Sequence, residues 1–446
     1  MMPDWRVEKE LGAAYDAQQN LPEVTLSAGS SECPETFRLS SDLRRVERTV
    51  ALRDGSRRRT SLPVRGVLDT SRIEQVELAA LADAAFLQSV ERPRVSAGAQ
   101  KVRLADLFSG CGIMSLGVWE ACRAIGRGCE PVVALDANPI PLRVYKENFP
   151  DSVVCCKPIE QVLDGQVGTG ATDTERYFVK RIGRVDLLVG GPPCQGHSDL
   201  NNHTRRNDPK NWLYGRMARF AELVRPTHII IENVSAVLHD RSAVVERTAN
   251  ELFRLGYAVD HDVAEVSLLG VAQRRRRHVM VASLERKPNV RRSLAAYAQE
   301  VRTVSWAIHD LVRRRQKSVL DSVGTPSTRT RERIEYLFRK NVDNLPNRLR
   351  PDCHRLKKHS YKSVYGRMLW DGPAQTVTSG FTSMGQGRYV HPKRRRTITP
   401  HEAARLQFIP DFFRFPEDIP RTALAEMIGN AVPTKLTYVV AIELLR

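Results

Sequence analysis

Cys194 is the residue in this chain best placed for covalent chemistry. It follows Gly190-Gly191-Pro192-Pro193, at the end of the apolar run Val185–Val189. Two prolines fix φ and withhold backbone donors, so a strand cannot continue through them and the chain turns rigidly. A thiol at that point lies at the carboxyl end of a strand, where open α/β sheets bind ligands. The plainer alternative is a buried structural cysteine behind a tight loop, since a free Cys is mostly a small core residue. A second apolar run, His228–Ile231, ends in Glu232-Asn233-Val234. If the two runs are neighbouring strands, Cys194 and Glu232 converge on one sheet edge. A thiolate and a carboxylic acid together suit covalent attack on an electron-poor ring, with the acid hydrogen-bonding a ring nitrogen. By itself, Glu232 reads as a capping or salt-bridged carboxylate.

Asp106-Leu107-Phe108-Ser109-Gly110-Cys111-Gly112 joins a strand to a helix through two glycines, which let backbone approach a ligand at the helix N-terminus. Asp136 ends the next strand about 20 residues on, where a carboxylate can hold ribose hydroxyls. The pair suggests a nucleoside cofactor, NAD or S-adenosylmethionine. The next glycine comes only at Gly117, so the full pyrophosphate fingerprint is missing and the balance leans against NAD. In Gln273-Arg274-Arg275-Arg276-Arg277, alternate arginines on extended chain face one way. Arg275 and Arg277 could then hold phosphate or a base carbonyl with their planar donor forks, against the plainer reading of a solvated charge run.

These residues need a sheet to position them. From Val102 strands and helices alternate: a strand over 102–108, a helix over 113–124, a strand over 131–135 and a helix over 139–148. Further strands are expected at 153–156, 185–189, 228–231 and 278–282. Repeated βα units imply an α/β, doubly wound, mostly parallel sheet. Residues 1–100 are polar, with an Arg-rich stretch at 44–59 that fits a strand pair or a solvated loop. They also hold a helical apolar spacing at 70–90 with Ser71 as its cap, and a linker at 94–100. Between 283 and 370 the alternation fades into Arg-rich, turn-rich sequence, read as a second, smaller domain. Helical signals return at 399–407 and 421–440. The chain thus divides into an N-terminal extension (1–100) without an assigned role, a catalytic unit (101–282), the smaller region (283–370) and a C-terminal return (371–446).

The 446 residues, 41% hydrophobic and 27% charged, suit a soluble globular protein. Apolar runs are strand-sized and no signal peptide is apparent, so a cytoplasmic protein without membrane attachment is expected. Eight cysteines without CxxC pairs indicate neither a disulfide framework nor a zinc site, and no metal is expected. A net charge of +18 fits a polyanionic partner, nucleic acid first, but separates it poorly from a merely basic surface; the clusters at 313–315, 329–333, 357–358 and 393–396, all in the C-terminal half, add weight to the partner.

Taken in order, the motifs resemble those of the DNA (cytosine-5) methyltransferase family. The matches are Asp106 to Gly112, Gly190 to Gln195, Glu232 to Val234, Gln273 to Arg277, Arg396 to Glu402 with Arg405-Leu406-Gln407, and Gly429 to Pro433. They span about Lys101 to Arg446. The resemblance implies a Rossmann-like S-adenosylmethionine-dependent methyltransferase sheet with a smaller target-recognition domain at 283–370. It implies that Cys194 attacks C6 of a cytosine flipped out of duplex DNA, that Glu232 holds N3 and that Arg275 supports the carbonyl side, with Arg277 in the same catalytic group. Phe108, Ser109, Gly110, Gly112, Asp136, Pro192 and Asn430 would form the cofactor site. Gln195, Ser198, Gln273 and Arg275 would touch the nucleic acid. The partners implied are double-stranded DNA and, for a bacterial modification enzyme, a cognate restriction endonuclease; the chain is expected to act as a monomer. His197, Asp136, Ala137, Pro158 and His401 depart from residues common in the family, which touches the adenine pocket more than the catalytic pair. An RNA cytosine methyltransferase is the near rival; a catalytically silent DNA-binding regulator is the distant one. The sizeable Arg-rich recognition region and the intact Cys194, Glu232 and Arg275 favour the DNA enzyme.

Overall fold

The computed structural model describes residues 33–65, 75–95, 98–193, 213–240, 242–314, 318–356 and 364–446. Chain order begins with β1 (Glu35–Leu39), β2 (Arg45–Ala51), β3 (Arg57–Pro63) and α1 (Gln75–Gln88). The alternating region comprises β4 (Lys101–Leu107), α2 (Ile113–Ala124), β5 (Gly128–Asp136), α3 (Pro139–Asn148), β6 (Val153–Cys156), α4 (Asp173–Ile182), β7 (Leu187–Gly190), α5 (Arg216–Val224), β8 (His228–Val234), α6 (Val244–Arg254), β9 (Ala258–Glu265) and β10 (Arg276–Ser283). Then come α7 (Val290–Ala296), α8 (Val304–Ile308), α9 (Thr328–Arg339), α10 (Asp352–Arg355), α11 (Pro400–Leu406), α12 (Arg421–Asn430) and α13 (Thr434–Leu445).

Seven strands form one sheet in the order β6-β5-β4-β7-β8-β10-β9. The first five are parallel; β10 runs antiparallel to both β8 and β9. Strand order reverses at β4, with β5 on one side and β7 on the other, which is the switch point where such sheets bind ligands. Successive β4 residues feed opposite faces: Leu104 joins the core under α2 and α13, and Ala105 joins the core under α4, α5 and α6. All twelve residues of α2 are buried, and its polar members are paired: Ser115 donates to Asp106 Oδ2 at 2.6 Å and Arg123 lies 2.7 Å from Glu120. Gly117 lets α13 press on α2: a β-carbon there would lie 2.7 Å from Thr434 O.

Several elements differ from the sequence expectation. The single helix expected over 421–440 is two, because Ala431 leaves helical geometry (ψ 138°) and Pro433 cannot donate into a continuing helix. The Arg-rich stretch at 44–59 is a strand pair, extended by β1 into a three-stranded antiparallel sheet. The Ser71 cap lies outside the described residues. Phe86 and Leu87 of α1 pack in the same core as Phe408 and Phe412, so the N-terminal segment is built into the main body. A smaller hydrophobic cluster consists of Ile334, Leu337, Leu345, Val364, Tyr365, Met384 and Val390. It reaches past residue 370, whereas Val290, Val304 and Ile308 pack into the main core. No helix among the described residues is long and apolar enough to cross a membrane, and none of their His, Cys, Asp and Glu side chains group to hold a metal.

Candidate active site

Glu232 sits at the carboxyl end of β8, 7% exposed. The parallel register pairs Gly190 with Ile231, which carries the Gly191–Pro193 loop over the carboxylate. Gly190 must be glycine: a β-carbon would lie 2.7 Å from the Met217 side chain and 2.9 Å from Leu107 O. A β-carbon on Gly191 would lie 3.5 Å from Glu232 Oε2, so this loop rests against the acid. Asn233 fixes it further, its Nδ2 donating to Pro192 O at 3.2 Å. Sequence reading gave Asn233 no role, although Pro192 has no N–H and its carbonyl is its one backbone handle. Cys194, Gln195 and Ser198 continue this loop in sequence and lie outside the described residues, as does His197.

Arg277 Nε lies 2.9 Å from Glu232 Oε1 in an ion pair whose angle is off the line of a hydrogen bond. Register explains the meeting. Glu232 is opposite Val279, and Arg277 is the diagonal neighbour two residues along on the same face. Burial pushes the Glu232 carboxyl above its ordinary value, and the Arg277 and Arg275 charges offset only part of that. The result is an acid biased towards holding its proton at the sheet edge.

The structure places both Arg275 and Gln273 in the interior, bonded to the C-terminal segment. Arg275 is 3% exposed, and its two terminal nitrogens donate to Val377 O (2.8 Å) and Gly429 O (3.1 Å). It reaches Glu232 by its charge and is committed to backbone rather than open to a base carbonyl or a phosphate. Gln273, expected at the nucleic acid, is fully buried. Its Nε2 donates to Leu406 O (3.0 Å) and Gln407 Oε1 (2.9 Å), and its Oε1 accepts from Val377 N–H (2.6 Å). Both side chains bracket the C-terminal return onto the β10 entry. Strand alternation alone cannot distinguish an inward bracket from an outward contact.

The second half of the site is the loop from β4 to α2. Phe108 holds φ 57°, a left-handed conformation costly for a bulky side chain, and Gly110 and Gly112 follow at φ 50° and 92°. A β-carbon on Gly112 would strike the Tyr145 ring at 2.8 Å. One on Gly110 would meet nothing within 4 Å, so backbone is open to approach there. Asp136, at the end of β5, accepts the Gly110 N–H through Oδ2 and the Asn138 N–H through Oδ1, both at 2.9 Å. Two of its four acceptor positions remain. Ser109 is 8% exposed, its N–H donating to Leu135 O at 3.0 Å. Beneath the loop, Asp106 is fully buried; Oδ2 accepts from the Ser115 hydroxyl at 2.6 Å, and Oδ1 has no hydrogen-bond partner among the described residues. Burial drives its carboxyl well above the ordinary range. An acid inside an apolar strand run was the available signal for Asp106. Asn430 is exposed at the end of α12, just after Gly429, whose missing β-carbon would lie 2.1 Å from Ser379 N.

Comparison with known proteins bears on the family and the fold. Residues 102–446 match the family model described as C-5 cytosine-specific DNA methylase. Type II methyltransferase M1.BsuMI of Bacillus subtilis (strain 168) is 45% identical over 399 residues, covering 90% of this chain and 92% of that protein. Type II methyltransferase M1.HphI of Haemophilus parahaemolyticus is 29% identical over 350 residues, covering 76% and 86%. Among solved structures, a protein described as a DNA modification methyltransferase encoded within an E. coli prophage superposes with a TM-score of 0.53 at 22% identity. It covers 77% of this chain and 98% of its own, a likeness of fold. The chain therefore belongs to the C-5 cytosine-specific DNA methylase family, and its enzyme class is that of the DNA (cytosine-5-)-methyltransferases, EC 2.1.1.37.

Proposed function

We propose that the chain methylates C5 of a cytosine flipped out of a specific duplex DNA sequence, through a covalent bond between Cys194 and C6. The carrying observation is the ion pair of buried Glu232 with half-buried Arg277 beneath the Gly191–Pro193 loop that leads into Cys194. The Cys194 thiolate adds to C6, and the electron pair moves towards C5 as Glu232, biased towards its protonated form, hydrogen-bonds N3. Arg277, at 2.9 Å from Glu232, orients the acid and takes the carbonyl-side role expected of Arg275. Once C5 carries its methyl group, loss of the C5 proton restores the ring and expels the thiolate.

The β4–α2 loop fits S-adenosylmethionine. The open backbone at Gly110, the remaining acceptor positions of Asp136 and the unpartnered Asp106 Oδ1 suit a nucleoside with a cationic amino-acid arm. That cofactor supplies the methyl group. Phe108, Ser109, Gly110, Gly112, Asp136 and Pro192 would hold it, with Asn430 at the rim. Base readout falls to the smaller domain, where Arg329, Arg331, Arg339, Lys393 and Arg394 are exposed. Other basic residues there are structural: Arg333 donates to Leu349 O and Arg396 clasps Glu402. A restriction endonuclease of matching specificity and a monomeric working state complete the reading. Incubation with labelled S-adenosylmethionine and either duplex DNA or tRNA tests it: label should enter C5 of cytosine in DNA. Label entering tRNA alone would overturn it.

A further inference from the structure

The sheet formed by β1, β2 and β3 lies outside the residues that match the family model. Its inner face is fully used. Val46, Val50 and Leu62 are buried in the main core, and Arg48 reaches Glu120 Oε1 (2.8 Å) and Tyr438 OH (2.9 Å). Alternation and register put Arg38, Arg45, Arg57 and Arg59 together on the opposite face, with Glu47 as its one carboxylate. These four arginines are exposed, Arg38 and Arg59 to 58% each. Glu47 is occupied by Arg38 at 2.5 Å and stands 4.0 Å from Arg59. Arg57 makes no ion pair among the described residues.

We propose that this face binds the phosphate backbone of duplex DNA away from the methylated cytosine; the proposal rests on the reading that the chain works on DNA. Four guanidinium forks against one carboxylate complement a duplex carrying about one negative charge per 1.7 Å of axis. Thr49 and Ser61 on the same face add hydroxyls of the kind that bond phosphate oxygens. The face carries no aromatic residue, the anchor that protein interfaces and membrane surfaces favour. It is also separate from the chemistry. Arg58 of β3 lies over Gly126, past the C-terminal end of α2, whereas the cofactor loop enters the other end, about 18 Å away along the helix.

The test compares the full-length protein with a variant carrying Arg45→Ala, Arg57→Ala and Arg59→Ala, both checked for equal melting temperature. The probe is a random-sequence 40-base-pair duplex, titrated from low to moderate salt. Binding by the variant should weaken at least about tenfold at low salt, and its log–log salt slope should shrink by about 2–3. Methyl transfer at saturating DNA should be unchanged. Equal affinity and equal salt slope in the two proteins would overturn the proposal, as would a variant that loses affinity for an acidic protein but not for the duplex. Methyl transfer by the unmodified protein is scored separately: its absence, with arginine-dependent duplex binding intact, would sink the catalytic reading and leave this surface standing.

Discussion

The carboxyl edge of the sheet and the joint between β10 and the C-terminal segment are both buried and polar, yet they treat their polar groups differently. At the joint, Gln273 bonds Gln407 and the backbone on both its oxygen and nitrogen, and Gln407 bonds Ile428 O in turn. Nearby, both ring nitrogens of His401 reach carboxylates, Asp321 at 2.8 Å and Asp411 at 2.7 Å. At the edge, Glu232 Oε1 and Asp106 Oδ1 are buried without an aligned hydrogen bond, and Phe108 holds a left-handed backbone. An unsatisfied buried polar group costs about 1–3 kcal/mol. Such groups gathered beside a ligand-binding switch point mark where outside partners complete the bonding; satisfied ones mark where the chain holds itself together.

That contrast is broken most strongly at Glu232. Glu232→Gln should lower the methyl-transfer kcat by about 10²–10⁴-fold, the scale of a lost acid, with little change in melting temperature. A large loss of stability with kcat per folded molecule intact would place Glu232 on the structural side. Gln273→Ala should do the reverse, costing about 2–3 kcal/mol in denaturant unfolding because Leu406 O and Val377 N–H lose their partner. A stable Gln273→Ala protein that fails only to bind DNA would restore the nucleic-acid role. Asp136→Ala should weaken S-adenosylmethionine by about 1–3 kcal/mol in calorimetry, since it removes both an acceptor and the tie to Gly110. Unchanged affinity would move the ribose contact elsewhere.

The smallest effect is a pH dependence at His401. Burial alone would lower its pKa, but hydrogen bonds to Asp321 and Asp411 outweigh it and the net shift is upward from 6.5. A raised folded pKa contributes stability that is complete below 6.5 and is lost as pH rises through the folded value. Asp321 and Asp411 are held below their ordinary 3.8: burial would raise them, and the bonds to His401, Arg314 and Arg405 prevail. Their contribution is present above 3.8 and lost as pH falls through their lowered values. His401→Gln should therefore flatten the alkaline decline in unfolding free energy above pH 6.5. An unaltered slope would remove His401 as its source.

The central strands and the glycine loop were legible because apolar runs and glycines report directly on burial and backbone conformation. Edge strand β9 was not, since Ala258–Glu265 sets Asp260-His261-Asp262 between two short apolar pairs and shows neither a continuous apolar run nor strict alternation. Arg275 and Arg277 share a strand face and a residue type. Only the packing of Val377 and Gly429 against one, and of Glu232 against the other, tells bracket from active-site partner. Asn233 was hidden for the same reason, as its role depends on Pro192 arriving from another element.

The most direct test of the catalytic account uses duplex DNA carrying 5-fluorocytosine at the target position, with S-adenosylmethionine present. Fluorine cannot leave C5 as a proton does, so the adduct formed at C6 cannot resolve. The account predicts a covalent protein–DNA complex that peptide mapping places at Cys194, abolished by Cys194→Ser because an unactivated hydroxyl is barely ionised, and slowed by Glu232→Gln. An adduct mapped to Cys111, Cys155 or Cys156, or methyl transfer persisting in Cys194→Ser, would contradict it.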